Sequence, residues 1–249
     1  MKIGKNQEII LGINSTETVI NFRKEEVNTL VVLDSNSNQR VKKIIELATS
    51  KGIKIFYTGN KFFKNFKDIN HQGIGIICKS KKEESELVLD KLLEKESLLL
   101  LILDHLTDPH NVGACLRSAA AANVDAVIVP KNRSCHLNPT VRKVSSGASE
   151  LISFIVVTNL VRTLKKISSY GVEIVGADEM ANKNYLETDL GLKVAFVIGS
   201  EDKGLKRLTA QNCNKLVKIN MPGKIESLNA SVSAGILLFE YLSRNNNAY

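Results

Sequence analysis

Short, mainly apolar runs beyond residue 96 constrain the fold of this chain more than any other feature. They lie at residues 98–103, 126–129, 154–157, 172–175, 194–198 and 216–219. Each run is four to six residues long, is rich in Val, Ile or Leu and is apolar at nearly every position. Such runs are typical of strands that are buried on both faces of a parallel sheet.

Helical patterns separate these runs. They cover residues 112–122, 160–170, 205–213 and 228–242, and the last places Leu228, Val232, Ile236 and Phe239 on one apolar stripe. Strands that alternate with helices in this way predict an α/β fold with a mainly parallel sheet.

The first 96 residues have a different character. Helix-like and strand-like segments alternate at 14–22, 30–33, 41–50, 54–57 and 74–78. Residues 1–78 hold 12 Lys and Arg against 7 Asp and Glu, whereas residues 79–96 hold 5 against 6 and lack Gly and Pro. We predict a small α/β domain at 1–78, a charged linker at 79–96 that is partly helical around Leu89 and Leu92, and a larger domain at 97–249.

The composition indicates which binding partner and which cellular location to expect. A net charge of +8 and a pI near 9.2 favour a polyanion as partner. The four cysteines have neither C-x-x-C nor zinc-ligand spacing, so we expect reduced thiols and no metal. The amino terminus lacks a signal-peptide pattern and the run at 98–103 is too short to cross a bilayer, so we expect a cytoplasmic protein without a membrane partner.

Polar residues follow the buried runs at three places, where ligands bind in parallel α/β folds. The first loop carries Asp108 and Asn111, either of which can cap the next helix. That helix carries mainly small side chains, and Arg117 is its one charged residue. Arg117 is either an ordinary surface residue or a guanidinium that binds a phosphate or carboxylate, and its setting favours binding.

The other two loops offer glycines and short polar side chains. Gly199 and Gly204 flank Glu201 and permit a tight turn close to a ligand, although G-x-E-x-x-G alone is a weak pattern. In the third loop a Pro222-Gly223 turn precedes Ser227, a candidate helix cap, and Asn229. The G-x-G-x-x-G pattern of nicotinamide dehydrogenases is absent.

In their order these loops resemble the three signature motifs of the SpoU (TrmH-type) branch of the SPOUT RNA methyltransferases. The motifs read Asn111-Val-Gly113-x-x-x-Arg117, Gly199-x-Glu201-x-x-Gly204, and Met221-Pro222-Gly223 followed by Ser227-Leu-Asn229-Ala-Ser231. The resemblance covers residues 97–249 and implies a deep trefoil knot and a homodimer packed through the knotted regions, with active sites composed from both subunits.

The amino-terminal part is similar to one subgroup of this family. Gly12-Ile13-Asn14 and His71-Gln72-Gly73 resemble the ends of an L30e-like RNA-binding domain. The subgroup methylates a guanosine 2′-hydroxyl in 23S ribosomal RNA. The resemblance therefore implies transfer of a methyl group from S-adenosyl-L-methionine to that hydroxyl, without a metal.

Motif matching also implies a set of site residues. The implied catalytic residues are Arg117, Asn111, Glu201, Ser227 and Asn229. The implied cofactor-binding residues are Ala177, Gly199, Ser200, Glu201, Gly204, Ile219, Met221, Pro222, Ser227 and Leu228. In this interpretation Asn111 positions Arg117 or the target nucleotide, Glu201 orients Arg117, and Ser227 and Asn229 contact the substrate ribose.

Two alternatives remain open at this point. The first is a transfer-RNA ribose methyltransferase, which the L30e-like domain and its basic balance disfavour. The second is a non-catalytic RNA-binding scaffold, which predicts loss of Arg117, Glu201 or Asn229, and all three are present.

Overall fold

The computed structural model describes residues 3–66, 70–225 and 227–245 of the chain. The chain divides into two compact units. The first comprises Met1–Lys82 together with Arg142–Leu151, and the second comprises Glu83–Val141 together with Ile152–Tyr249.

A mixed sheet with an apolar core forms the first unit. Its elements are β1 (Gln7–Leu11), α1 (Ile13–Phe22), β2 (Val27–Leu33), α2 (Gln39–Ser50), β3 (Lys54–Thr58), α3 (Asn60–Phe63) and β4 (Ile74–Lys79). The strand order is β1-β4-β2-β3, with β2 parallel to β3 and β4 antiparallel to both of its neighbours. The helices and strands predicted for this part are confirmed, and β1 is an additional strand that the sequence reasoning missed.

The remaining elements follow in chain order. They are β5 (Glu84–Ser85), α4 (Leu87–Leu93), β6 (Leu98–Asp104), α5 (Pro109–Ala121), β7 (Ala126–Pro130), α6 (Pro139–Val144), α7 (Ala148–Leu151), β8 (Ser153–Val157), α8 (Leu160–Ser169), β9 (Glu173–Ala177), β10 (Lys183–Asn184), β11 (Lys193–Gly199), α9 (Arg207–Ala210), β12 (Lys215–Lys218) and α10 (Ala230–Arg244).

The second unit is built on a parallel sheet. Its strand order is β10-β12-β9-β11-β6-β7-β8-β5, and each of these neighbouring pairs is parallel. Every residue of β6 and β7 is buried, which explains why their sequences are apolar without alternation. The predicted α/β fold with a mainly parallel sheet is confirmed.

The stretch predicted as a charged linker holds ordered structure. β5 pairs with β8 at one edge of the parallel sheet, and Leu89 and Leu93 of α4 are fully buried in the core of the second unit. Asp90 and Lys91 are the only charged residues of α4, so most of the charge of residues 79–96 lies in the segments on either side of the helix.

Residues 142–151 belong to the first unit because of a buried ion network. The Glu150 side chain is 1% exposed and accepts hydrogen bonds from Arg142 Nη1, at 2.6 Å, and from Arg23. A buried carboxylate is stable only when it is paired, so these arginines hold this segment within the first unit. Nothing in the sequence reasoning predicted this pairing.

Two helices of the second unit differ from their predictions. The helix predicted at 205–213 is a single turn, α9, since Asn212 donates from Nδ2 to the Leu208 carbonyl and competes with the backbone. The terminal helix begins at Ala230, two residues later than predicted, because Asn229 is its N-cap.

The apolar stripe predicted on the terminal helix does not face the core of this chain. Val232 and Phe239 are about half exposed, at 48% and 50%, whereas Leu238 and Tyr241 on the other side are buried. The α10 helix packs against α5 and β11 through that other side. It is thus apolar on two faces, which a single stripe could not reveal.

Candidate active site

A cleft of about 410 Å³ opens at the carboxyl ends of β9, β11 and β12. Its lining consists of Ala177, Asp178, Glu179, Met180, Ile198, Gly199, Ser200, Glu201, Asp202, Lys203, Gly204, Leu205, Val217, Ile219, Met221, Ser227, Leu228, Ala230 and Ser233. These strands are neighbours in a parallel sheet, so three loops that are distant in sequence converge at one edge. The volume lies within the usual range of small-molecule sites, about 300–1,000 Å³.

The cleft gathers nearly all the predicted cofactor-binding residues. Those in its lining are Ala177, Gly199, Ser200, Glu201, Gly204, Ile219, Met221, Ser227 and Leu228. Pro222 lies outside it and lines an adjoining groove, which shares Ile219 and Met221 with the cleft. The sequence reasoning missed Asp178, Glu179 and Met180, although they directly follow β9, where the same strand-end rule applies.

A tight glycine turn forms one wall of the cleft. Ser200 and Gly204 exchange backbone hydrogen bonds of 3.1 and 2.8 Å across the turn. Gly204 has a φ of 59°, and a Cβ on Gly199 would lie 2.1 Å from the Gly204 carbonyl carbon. A side chain at Gly199 would force the turn to rearrange, whereas one at Gly204 would have room but a strained backbone. Glu201 lies within this turn.

Asp104 holds this turn through a hydrogen bond to the backbone that follows it. It ends the buried strand β6 opposite Gly199 of β11, and its side chain is fully buried. Oδ2 of Asp104 accepts a hydrogen bond of 2.8 Å from the backbone N–H of Lys206, just after the turn. The sequence reasoning missed Asp104, although a carboxylate directly after a run of six apolar residues was a usable signal.

Asn229 joins all three motif loops in one polar cluster. Its Nδ2 donates to Asn111 Oδ1 at 2.8 Å and to Glu201 Oε1 at 2.6 Å. Its Oδ1 accepts from the backbone N–H of Ser231 at 2.9 Å and thereby caps α10. Both amide protons are used, so the side-chain orientation is fixed by its partners.

Arg117 and Ser227 lie apart from this cluster. Arg117 is exposed on α5, is absent from the cleft lining, and has no hydrogen-bond or ion-pair partner among the described residues. Within one chain, Asn111 and Glu201 accept hydrogen bonds from Asn229 and not from Arg117. Ser227 is exposed in the cleft lining and does not cap α10.

The thiols next to the site are unreactive. Burial, together with the charge of Glu201, raises the pKa of Cys115 to about 12. Burial, together with Asp104 and Asp178, raises the pKa of Cys213 to about 12. Both thiols therefore stay protonated at neutral pH and offer no nucleophile. Within the described ranges, no group of His, Cys, Asp and Glu could hold a metal ion.

Two family matches together span most of the chain. Residues 98–239 match the SpoU rRNA methylase family. The chain belongs to the SpoU rRNA methylase family. Residues 9–84 match the RNA 2′-O ribose methyltransferase substrate-binding family, so the chain carries both parts expected of a two-domain SpoU protein.

Relatives of similar length share about two fifths of their residues with this SpoU chain. The 23S rRNA (guanosine-2′-O-)-methyltransferase RlmB of Shewanella oneidensis is 42% identical over 95% of this chain and 97% of its own length. The RlmB of Pseudomonas aeruginosa is 39% identical over 94% and 96%.

Solved structures of SpoU proteins have the same fold. The SpoU methyltransferase AviRb of Streptomyces viridochromogenes, in complex with AdoMet, has a TM-score of 0.78 at 18% identity, covering 97% of this chain and 92% of that one. An AdoMet-bound rRNA methyltransferase of Sinorhizobium meliloti has a TM-score of 0.74 at 20% identity, covering 96% and 88%. In the described part of the chain, no helix is long and apolar enough to cross a membrane.

Proposed function

We propose that this chain transfers a methyl group from S-adenosylmethionine to the 2′-hydroxyl of a guanosine in 23S ribosomal RNA. The observation that carries the proposal is the polar cluster at the cleft, where Asn229 bonds to Asn111 and Glu201 in a chain about 40% identical to RlmB proteins over nearly its full length. A scaffold without activity would not need this arrangement of three distant loops.

The cleft fits the cofactor in size and chemistry. Ile219, Met221 and Leu228 offer apolar surface for a flat adenine, and the glycine turn brings backbone groups close to it. The acidic side chains of Asp178 and Glu179 lie in the same lining and can accept hydrogen bonds from ribose hydroxyls or an ammonium group. When bound, S-adenosylmethionine supplies a methyl group that is already activated by its sulfonium sulfur.

The ribose 2′-hydroxyl is a poor nucleophile, so the protein must assist its attack on the methyl group. A ribose 2′-hydroxyl is almost fully protonated at neutral pH, so negative charge that develops on its oxygen needs stabilisation. The Arg117 guanidinium is permanently charged and can bind a neighbouring phosphate and the developing alkoxide. A neutral, proton-accepting Arg117 would be scarce because a guanidinium stays protonated in proteins.

A homodimer explains why Arg117 lies outside the cleft of its own chain. Arg117 is exposed and unpaired among the described residues, and α10 exposes the apolar side chains of Val232 and Phe239. We propose that a second copy covers this surface, so that each site combines the cleft of one subunit with Arg117 of the other. The trefoil knot and a cytoplasmic location are further parts of this proposal.

The proposed domain division follows the family matches. Residues 1–78 would bind the RNA substrate, since residues 9–84 match a substrate-binding family and the segment carries a net charge of +5 from 12 Lys and Arg against 7 Asp and Glu. Residues 97–249 would supply the methyltransferase domain. The structure adds residues 83–96 to that unit and assigns residues 142–151 to the first unit.

Transfer of a tritiated methyl group to deproteinised 23S ribosomal RNA and to transfer RNA, assayed in parallel, tests the reaction and its substrate class. We expect label in ribosomal RNA at an alkali-resistant linkage next to a guanosine. Label confined to transfer RNA would refute the substrate, and no label with either RNA, from protein that binds the cofactor, would refute the reaction.

Mixed dimers test the shared site. Arg117→Ala removes the guanidinium, and Leu228→Trp fills the cleft. Each variant alone should be inactive, whereas a mixture should regain about a quarter of wild-type turnover, because about half of randomly assembled dimers are mixed and each holds one complete site. Failure of the mixture to regain activity, with both variants dimeric, would refute the shared site.

A further inference from the structure

We infer that the loop after β7, residues 131–134, is a second contact for the RNA, in which Lys131 and Arg133 bind backbone phosphates near the target nucleotide. The inference rests on the proposed function and names a part of the substrate surface outside the cleft and outside the motif loops. We call residues 131–134 the β7 loop.

The β7 loop presents uncompensated positive charge. Lys131, Asn132 and Arg133 are exposed, and neither cation has a hydrogen-bond or ion-pair partner among the described residues. The carboxylate of Glu83 beside the loop is already occupied, because it accepts from the backbone N–H of Leu137 at 2.8 Å and bonds to His136. The two cations are therefore available to an anion from outside.

The backbone on both sides of the loop is firmly held. The N–H of Lys131 donates to the Val157 carbonyl at 2.8 Å, and the Lys131 carbonyl lies 3.0 Å from His136 Nε2. The N–H of Cys135 donates to the Leu106 carbonyl at 2.7 Å. Exposed cations on an anchored loop lose less entropy on binding than cations on a free one.

The anchors also place the β7 loop beside the first motif loop. β7 lies next to β6 in the parallel sheet, so both strands end at the same edge. The Cys135–Leu106 bond joins the end of the β7 loop to the segment that leads into α5, on which Asn111 and Arg117 lie. An RNA strand that reaches that segment would have its neighbouring phosphates close to Lys131 and Arg133.

The backbone of Arg133 makes glycine a suitable replacement for testing its side chain. Its φ of 57° lies in the left-handed region, which a long side chain without a β-hydroxyl or amide adopts rarely. A glycine would fit this position with less strain. Arg133→Gly therefore removes the guanidinium without adding backbone strain.

Binding of protein-free 23S ribosomal RNA, measured across a salt series in the presence of S-adenosylhomocysteine, tests the inference. We expect Lys131→Ala/Arg133→Gly to bind about tenfold more weakly, with a salt slope lower by about one for each lost contact. Arg133→Gly relieves the backbone strain, so the fold should be retained and its thermal midpoint should not fall. Arg133→Lys should keep most of the affinity because it keeps the charge.

A matched pair of lysines controls for net charge. Lys91 on α4 and Lys165 on α8 are also exposed, so Lys91→Ala/Lys165→Ala lowers the charge equally and should leave RNA affinity and salt slope near wild type. Equal losses in the two double variants, or no loss in either, would overturn the inference. Affinity for S-adenosylhomocysteine should be unchanged throughout. If the wild-type protein transfers no methyl group, but the β7-loop variant alone loses RNA affinity, this contact is upheld and the proposed reaction is refuted.

Discussion

Asn229 donates a hydrogen bond of 2.6 Å to Glu201 and so joins the start of the terminal helix to the tip of the glycine turn. The same amide nitrogen reaches Asn111. One side chain thus connects the loops that follow β6, β11 and β12. If this connection shapes the cleft, changes at Asn229 should affect methyl transfer more than they affect folding.

Replacing Asn229 separates its two roles. Asn229→Ala removes the N-cap of α10 as well as the amide, and should lower the free energy of unfolding by about 1 kcal/mol. Asn229→Ser keeps a capping oxygen, so its thermal stability should stay near wild type. Both variants should lose at least about tenfold in methyl transfer, since each loses the hydrogen bonds to Glu201 and Asn111. A fully active Asn229→Ser protein would contradict the role of the cluster.

The glycine turn offers a matched pair of substitutions. Gly199→Ala would place a Cβ 2.1 Å from the Gly204 carbonyl carbon, so the turn must rearrange and we expect cofactor affinity to be lost. Gly191→Ala is the control, because an added Cβ there meets no atom within 4 Å. Calorimetric titration with S-adenosylhomocysteine measures both. Unimpaired binding by Gly199→Ala would show that the turn does not form the cofactor site.

Much of the second unit could be predicted because its strands are buried on both faces. The apolar run at 98–103 became β6, and the runs near 126–129 and 194–198 became β7 and β11. Because ligands bind at the carboxyl ends of parallel strands, the loops after these strands could also be predicted. Nearly all the predicted cofactor-binding residues line the cleft.

The remaining features depend on tertiary contacts that have no local signal. No spacing rule indicates that Glu201 pairs with Asn229 and not with Arg117. None indicates that Glu150 is buried between Arg23 and Arg142. The stripe on α10 was visible in the sequence, but periodicity cannot tell whether an apolar face packs against the core or stays exposed.

Asp104 should matter for the turn without touching the substrate. Asp104→Ala removes the carboxylate that accepts a hydrogen bond from the part-buried N–H of Lys206, and loss of a hydrogen bond to a charged group costs about 1.5–3 kcal/mol. Asp104→Asn keeps an acceptor oxygen and should be milder. We expect Asp104→Ala to raise the KM for S-adenosylmethionine more than it lowers kcat, measured in steady-state assays with saturating RNA. A change in kcat alone, with KM constant, would argue against this positioning role.

His136 should make the stability of the second unit depend on pH. Its Nδ1 lies 2.9 Å from a Glu83 oxygen and its Nε2 lies 3.0 Å from the Lys131 carbonyl, so both bonds require the protonated ring. Burial lowers the pKa of His136, but the hydrogen bonds to Glu83 and Lys131 outweigh it and raise the pKa above its usual value.

The direction of the pH effect follows from the raised pKa in the folded state. The stabilisation is complete below the unfolded pKa of about 6.5 and is lost as pH rises through the higher folded value. An NMR titration of the His136 ring should therefore give a midpoint above that of a free histidine, and His136→Gln should remove this part of the pH dependence of unfolding. A midpoint below that of a free histidine would contradict the double hydrogen bond.

The most direct test of the central claim is a crystal structure with bound S-adenosylhomocysteine. We predict the ligand in the cleft between the glycine turn and Leu228 of one subunit, with its sulfur facing Arg117 of the other subunit. A ligand bound outside this cleft, or a sulfur that Arg117 of the other subunit does not approach, would contradict the account.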